Sequence, residues 1–84
     1  MMLVSYDTEV GSTYVELADT EVRRTVSISD LVMVDLDDSD QPVGVEFAVG
    51  PAQITVEMLE ALGDRFSDLK GLTHVEDWLL STSR

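Results

Sequence analysis

From Val32 onward the chain alternates. Val32, Val34 and Leu36 fall on one parity, and beyond Asp37-Asp38-Ser39-Asp40-Gln41-Pro42 the residues Val43, Val45, Phe47 and Val49 do the same. Side chains of a strand point to opposite faces with period two, so each run predicts a strand with one apolar face. The six residues between them turn the chain through their own side chains, and the proline donates no ladder hydrogen bond. An acidic β-hairpin at 32–47 is therefore the organising unit.

The same alternation predicts earlier strands. Val4 and Tyr6 mark one at 3–7. The stretch Asp7-Thr8-Glu9-Val10-Gly11-Ser12 is turn material, with Gly11 free to take positive φ. Thr13, Val15 and Leu17 mark a second strand, with Tyr14 and Glu16 on the other parity. A third runs from Val22 to Ile28, with Val22, Val26 and Ile28 on one face. Arg24 breaks that apolar parity, which places it at a sheet end within reach of solvent or an acidic neighbour.

After Gly50-Pro51 the period changes. Val56, Leu59, Leu62, Phe66 and Leu69 recur at three- and four-residue steps, which predicts an amphipathic helix over about 55–70. Thr55 is its expected N-cap, Ile54 and Leu59 its hydrophobic staple, Lys70 its basic end and Gly71 its C′ residue. Gly63 lies within the stripe; the stripe continues in phase beyond it, which favours close approach to the sheet over a break. Thr73-His74-Val75-Glu76 has capping-box spacing and predicts a short terminal helix with Val75, Trp78 and Leu79 on one side. Together these patterns give a single α+β domain over 1–84. An antiparallel β-meander of four to five strands (1–50) is packed on one face by a C-terminal helical part (51–84). Which strand parity faces the helix is left open at this stage.

Several of these residues recur in a known order. Val4-x-Tyr6-Asp7-x-Glu9, Tyr14-Val15-x-Leu17, Thr25, Val32-x-Val34-Asp35-x-Asp37 and Gly44-Val45-Glu46-Phe47 follow one another at the spacing of a small family catalogued as domain of unknown function 2283. The chain resembles that family over about residues 4–49. It departs from it in the turn, where members usually carry a glycine and this chain has Asp38-Ser39-Asp40-Gln41-Pro42. The resemblance implies a compact β-meander and brings no activity, substrate or catalytic residue with it.

Composition narrows the chemistry. Of 84 residues, 17 are acidic and 5 basic, for a net charge of −12, and there is no cysteine. Disulfides, thiolate metal sites and cysteine nucleophiles are thereby excluded. Phosphate backbones demand clustered cations, and only Arg23 and Arg24 adjoin, so neither nucleic acid nor an anionic membrane is an expected partner. A basic protein surface is better matched. No stretch approaches the roughly 20 apolar residues of a membrane helix. The amino-terminal stretch has neither the basic nor the apolar part of a signal peptide, and a cytoplasmic location is expected.

Candidate sites are few. Asp35, Asp37, Ser39 and Glu46 fall at positions one, three, five and twelve of an EF-hand-like count, but Asp40 stands where that loop requires glycine, and the flanks read as strands. The acidic rim of Asp35, Asp37, Asp38, Asp40 and Glu46 is kept as a binding candidate, with no metal and no cofactor assigned. His74 is the lone histidine, at the start of a short helix, and a zinc site there would have to take its other three ligands from carboxylates; no Gly-x-Ser-x-Gly elbow or phosphate loop is present. Trp78 and Leu79 are candidate partner contacts, since tryptophan is enriched in interface hot spots. The expected function is a non-enzymatic acidic interaction or regulatory module that self-associates, most simply as a homodimer. The alternatives are a divalent-metal-binding or small hydrolytic protein built on the acidic hairpin, and an acidic mimic that blocks a basic nucleic-acid-binding surface.

Overall fold

The computed structural model describes residues 3–69. Five strands, β1 (Leu3–Asp7), β2 (Ser12–Glu16), β3 (Arg24–Ser29), β4 (Val32–Leu36) and β5 (Pro42–Phe47), form one sheet in the order β1-β2-β5-β4-β3. Every neighbouring pair is antiparallel. The fold is the expected α+β arrangement, resolved into a β1–β2 hairpin and a β3–β4–β5 meander that meet where β2 pairs with β5. A 3-10 turn at Pro51–Gln53 leads to one helix, α1 (Val56–Arg65), and a second 3-10 turn follows at Ser67–Leu69.

The core is set by register. Val4 pairs with Val15, Val15 with Val45, Val45 with Val34, and Val34 with Val26, so one valine from each strand stands in a single row across the sheet. β-Branched side chains suit this pleated surface. Beside that row Phe47 lies between Thr13 and Val32, and all three are buried. Among the described residues Thr13 is the one buried polar residue of this layer; its hydroxyl donates to the Val49 carbonyl at 2.8 Å and so avoids the cost of an unpaired group. Leu59, Leu62 and Leu69 close the layer from the helical side, together with Ile54.

The helix start is as expected. Thr55 accepts a hydrogen bond from the Met58 amide at 3.2 Å, and Ile54 and Leu59 are both buried around the cap. Gly63 is buried and the helix runs through it without a break. The other end differs. α1 closes at Arg65, with Phe66 in extended conformation, and the chain tightens into a 3-10 turn rather than continuing to 70. Leu69 is still buried because that turn carries it back to the core. Val56, assigned to the apolar stripe, is 58% exposed: at the first helical position it points away from the sheet. Val22 is likewise outside the layer. The Arg23 amide already donates to the Leu36 carbonyl, β3 begins at Arg24, and Val22 precedes the pairing with 45% exposure. Lys70, Gly71, His74, Trp78, Leu79 and the short terminal helix lie outside the described residues.

Two of the three hairpin turns among the described residues, β1–β2 and β4–β5, rest on a residue in left-handed conformation. Gly11 takes φ +73° and its amide donates to the Asp7 carbonyl. In the β4–β5 turn, Asp40 takes φ +62°. Aspartate tolerates this region better than most side chains, so Asp40 supplies the backbone geometry that a turn more often takes from glycine. Arg24 reaches Asp40 with Nη2 at 3.0 Å, which fulfils the expectation that this arginine sits at a sheet end beside an acid.

Candidate functional site

With the valine row facing the helix, the other parity faces away. Across the sheet this outer face carries Ser5, Tyr14, Glu46, Met33 and Ser27 in one row. Leu3, Glu16, Gly44, Asp35 and Thr25 form the next. The orientation left open by the sequence is thus fixed: the Thr13 parity is buried and the Tyr14 parity is outside.

Four of these residues form a cluster, one from each of β2, β5, β4 and β3. Gly44 leaves a gap in the second row, and the Tyr14 ring lies across it; a Cβ built on Gly44 would fall on the Tyr14 hydroxyl and ring carbons. The phenol thereby reaches one strand further and donates to Asp35 Oδ2 at 2.7 Å. From the other side Thr25 Oγ1 donates to Asp35 Oδ1 at 2.6 Å. Both carboxylate oxygens of Asp35 are engaged by hydroxyl donors on either flank, at the short lengths of charge-assisted bonds. Burial, followed by the Asp35 hydrogen bond and the charges of Asp35, Glu16 and Glu46, pushes the Tyr14 phenol above the usual tyrosine range. It is a proton donor at any physiological pH, and a poor nucleophile or base.

The acidic rim is dispersed by this arrangement. Asp35 belongs to the outer-face cluster, and Glu46 stands in the neighbouring row opposite Tyr14 and Met33. Asp37 turns back into its own loop, where Oδ1 accepts from the amides of Ser39 at 2.8 Å and Gln41 at 3.0 Å. Asp38 meets Arg23 at 3.4 Å and Asp40 meets Arg24, both pairs widely exposed. Among the described residues no group of three or more histidines and carboxylates is placed to hold a metal ion. A shallow depression of about 470 Å³ lies beside the turn, bordered by Thr20, Glu21, Val22, Arg23, Asp38 and Ser39. Its walls are exposed side chains and the half-buried Asp37, and it gathers no fully buried titratable group. Sequence spacing assigned Asp35 to the hairpin rim, whereas the Tyr14–Asp35–Thr25 cluster was not anticipated. The signal for it was Gly44 inside an otherwise apolar strand, a position that marks close approach by another group.

A model of the family described as "Protein of unknown function (DUF2283)" matches residues 3–48, more than half of the chain. The chain belongs to that family. The DUF2283 match takes in all five strands and stops short of α1, so the sheet with its two faces is what this chain has in common with the family. Tyr14, Thr25, Asp35 and Gly44 are each among the residues that carry the resemblance. No curated protein and no solved structure matches the chain. Among the described residues no helix is long and apolar enough to cross a membrane.

Proposed function

We propose that this DUF2283 protein is a non-enzymatic interaction module that offers the outer face of its sheet to a basic protein partner. One observation carries the reading: that face, as laid out by the strand registers, bears Asp7, Glu16, Asp35 and Glu46 and no lysine, arginine or histidine. The arginines of β3 and its approach are tied to the turn acids at the sheet end and leave the face uniformly negative. Its centre is pinned by the Tyr14–Asp35–Thr25 cluster, so a partner meets a rigid surface and loses little entropy in ordering it. Glu16 and Glu46 flank that centre as charges free to meet cations, and a uniform field steers a basic partner to the face.

Support for a non-enzymatic role comes from the same cluster. Its hydroxyls and carboxylate are bonded to one another, and the phenol holds its proton, whereas an acid–base pair needs a group poised near the working pH. A titration of the isotope-labelled protein with an arginine-rich peptide, followed by amide shifts, tests the reading. The expected shifts centre on Tyr14, Glu16, Met33, Asp35 and Glu46. Glu16→Gln with Glu46→Gln is expected to weaken binding about tenfold and to flatten its salt dependence, in line with two lost charge contacts. Shifts confined to the Asp37–Asp40 turn would refute it and restore the hairpin as the recognition element.

A further inference from the structure

An open sheet ends in two strands whose outward amides and carbonyls lack sheet partners, and proteins guard such edges with bulges, prolines and charges. The two edges here differ. β3 carries a register shift between Ser27 and Ser29, opens on Arg24, and lies where α1 approaches the sheet. β1 has neither bulge nor proline, and its one charge, Asp7, stands at its end. Its pairing with β2 is unbroken from Leu3 to Asp7, and it contains no proline, lysine or arginine. Among the described residues no backbone pairs with its outer side. Leu3 and Tyr6 leave 54% and 45% of their surface exposed along it.

We propose that β1 pairs antiparallel with β1 of a second copy, about a two-fold axis through Ser5, to give one continuous ten-stranded sheet. The strand is self-complementary about that point. With Ser5 opposite Ser5 of the second copy, all five residues are paired, and residues of equal parity meet, so the two valine-lined faces stay on the same side. Val4 lies opposite Tyr6 of the second copy, twice over, a β-branched–aromatic contact of the kind that stabilises cross-strand pairs. Leu3 lies opposite Asp7 of the second copy. Asp7 is the strand's single charge. In this register the two copies of it stand four residues apart, about 14 Å along the strands. That exceeds the Debye length of about 8 Å at physiological salt, so they barely repel. A foreign extended peptide would satisfy the same backbone groups but has no reason to match the Val4–Tyr6 spacing; a second copy matches it by symmetry. Five residues bury little area, which places the dimer in the weak, concentration-dependent class.

This pairing is independent of the basic-partner reading, and salt separates the two. Each copy carries −12, so raising salt relieves their mutual repulsion and strengthens self-association, whereas it weakens capture of a cation-rich partner. The decisive experiment is a charge swap at Ser5, an exposed position on the outer face. Sedimentation equilibrium of the wild-type chain up to about 1 mM, a concentration that detects association free energies near −4 kcal/mol, is expected to show a dimer. Ser5→Lys alone and Ser5→Glu alone, each checked for native circular dichroism, are expected to weaken it at least tenfold by setting like charges together. An equimolar mixture of the two variants is expected to restore it. A wild-type chain that stays at single-chain mass, a Ser5→Lys variant that dimerises as wild type does, or a mixture that remains monomeric would each overturn the proposal. Should either variant fail to fold, a wild-type mixture of carbon-13-labelled and unlabelled copies is read instead. A Val4 methyl to Tyr6 ring contact between copies supports the pairing, and a dimer without it refutes it.

Discussion

Gly44→Ala is a small change that is expected to act on a residue three strands away in the sequence order. The added methyl would occupy the space of the Tyr14 hydroxyl and ring. Backbone flanks Gly44 on both sides, in β2 and β4, so it is the ring that must leave. It can swing toward solvent, since Tyr14 is only half-buried, but it then gives up its bond to Asp35. A hydrogen bond to a charged acceptor contributes roughly 1.5–3 kcal/mol. Against this, alanine in a strand recovers roughly 0.5–1 kcal/mol of the conformational entropy that glycine forfeits. The net expectation is a loss of about 1–2 kcal/mol, a fall of roughly 5–15 °C in Tm for a domain of this size.

A thermal or urea double-mutant cycle isolates the cause. In a Tyr14→Ala background the obstruction is gone, and Gly44→Ala is expected to turn neutral or mildly stabilising. In a Tyr14→Phe background the bond to Asp35 is already absent, so only the packing of the ring over the glycine is lost and the cost is expected to fall below that in wild type. Equal effects of Gly44→Ala in the wild-type and Tyr14→Ala backgrounds would refute the claim that the ring occupies the glycine's space.

The remaining predictions address the core, the turn and the phenol. Leu62→Ala, at a fully buried site, is expected to cost about 2–5 kcal/mol by chemical denaturation, whereas Val56→Ala, at an exposed one, stays within about 0.5 kcal/mol. Asp40→Gly is expected to hold or raise Tm, since relief of the left-handed backbone offsets loss of an exposed ion pair, while Asp40→Val costs about 1–2 kcal/mol. Because folding raises the Tyr14 pKa, the folded chain holds that proton more tightly than the unfolded one. Its stabilising contribution is therefore complete below about pH 10, the unfolded tyrosine value, and falls as pH rises above it. Alkaline unfolding curves of wild type and Tyr14→Phe should accordingly converge above pH 10; parallel curves would contradict the assignment.

What the sequence disclosed was local. The 32–47 hairpin follows from two runs, each alternating with period two, and a turn rich in Asp, all within sixteen consecutive positions. The start of α1 follows from Thr55, Ile54 and Leu59, which lie within six positions. The misplaced elements were those where periodicity outran tertiary contact: Val56 and Val22 fit an apolar pattern, yet each lies one step beyond the layer that would bury it. The helix end was overrun because Leu69 stays in phase with the stripe, although a 3-10 turn and not α-helix carries it there. The outer-face cluster was illegible for another reason. Tyr14, Gly44, Asp35 and Thr25 span thirty-one positions, and they meet only because β2 takes β5 as its neighbour rather than β3. Parity told which residues share a face, but non-local register decides which of them touch.

That distinction bears on where the family's function lies. Residues that carry the resemblance fall into two sets. Val4, Val15, Val32, Val34, Val45 and Phe47 fill the core, and their chemistry is explained once the sheet has packed. Tyr14, Thr25, Asp35 and Gly44 contribute nothing to that core; they stand on the side away from the helix. A sheet that needed only to be soluble there could be served by any polar side chains, with no glycine to weaken β5 and no tyrosine to cover it. The arrangement instead holds a hydroxyl–carboxylate–hydroxyl bridge across four strands at a fixed place on the solvent side. The family match ends at residue 48, before the helix begins. Within the matched residues core packing leaves this bridge unexplained, which makes the face that carries it, and not the helix or the turn, the surface to probe first.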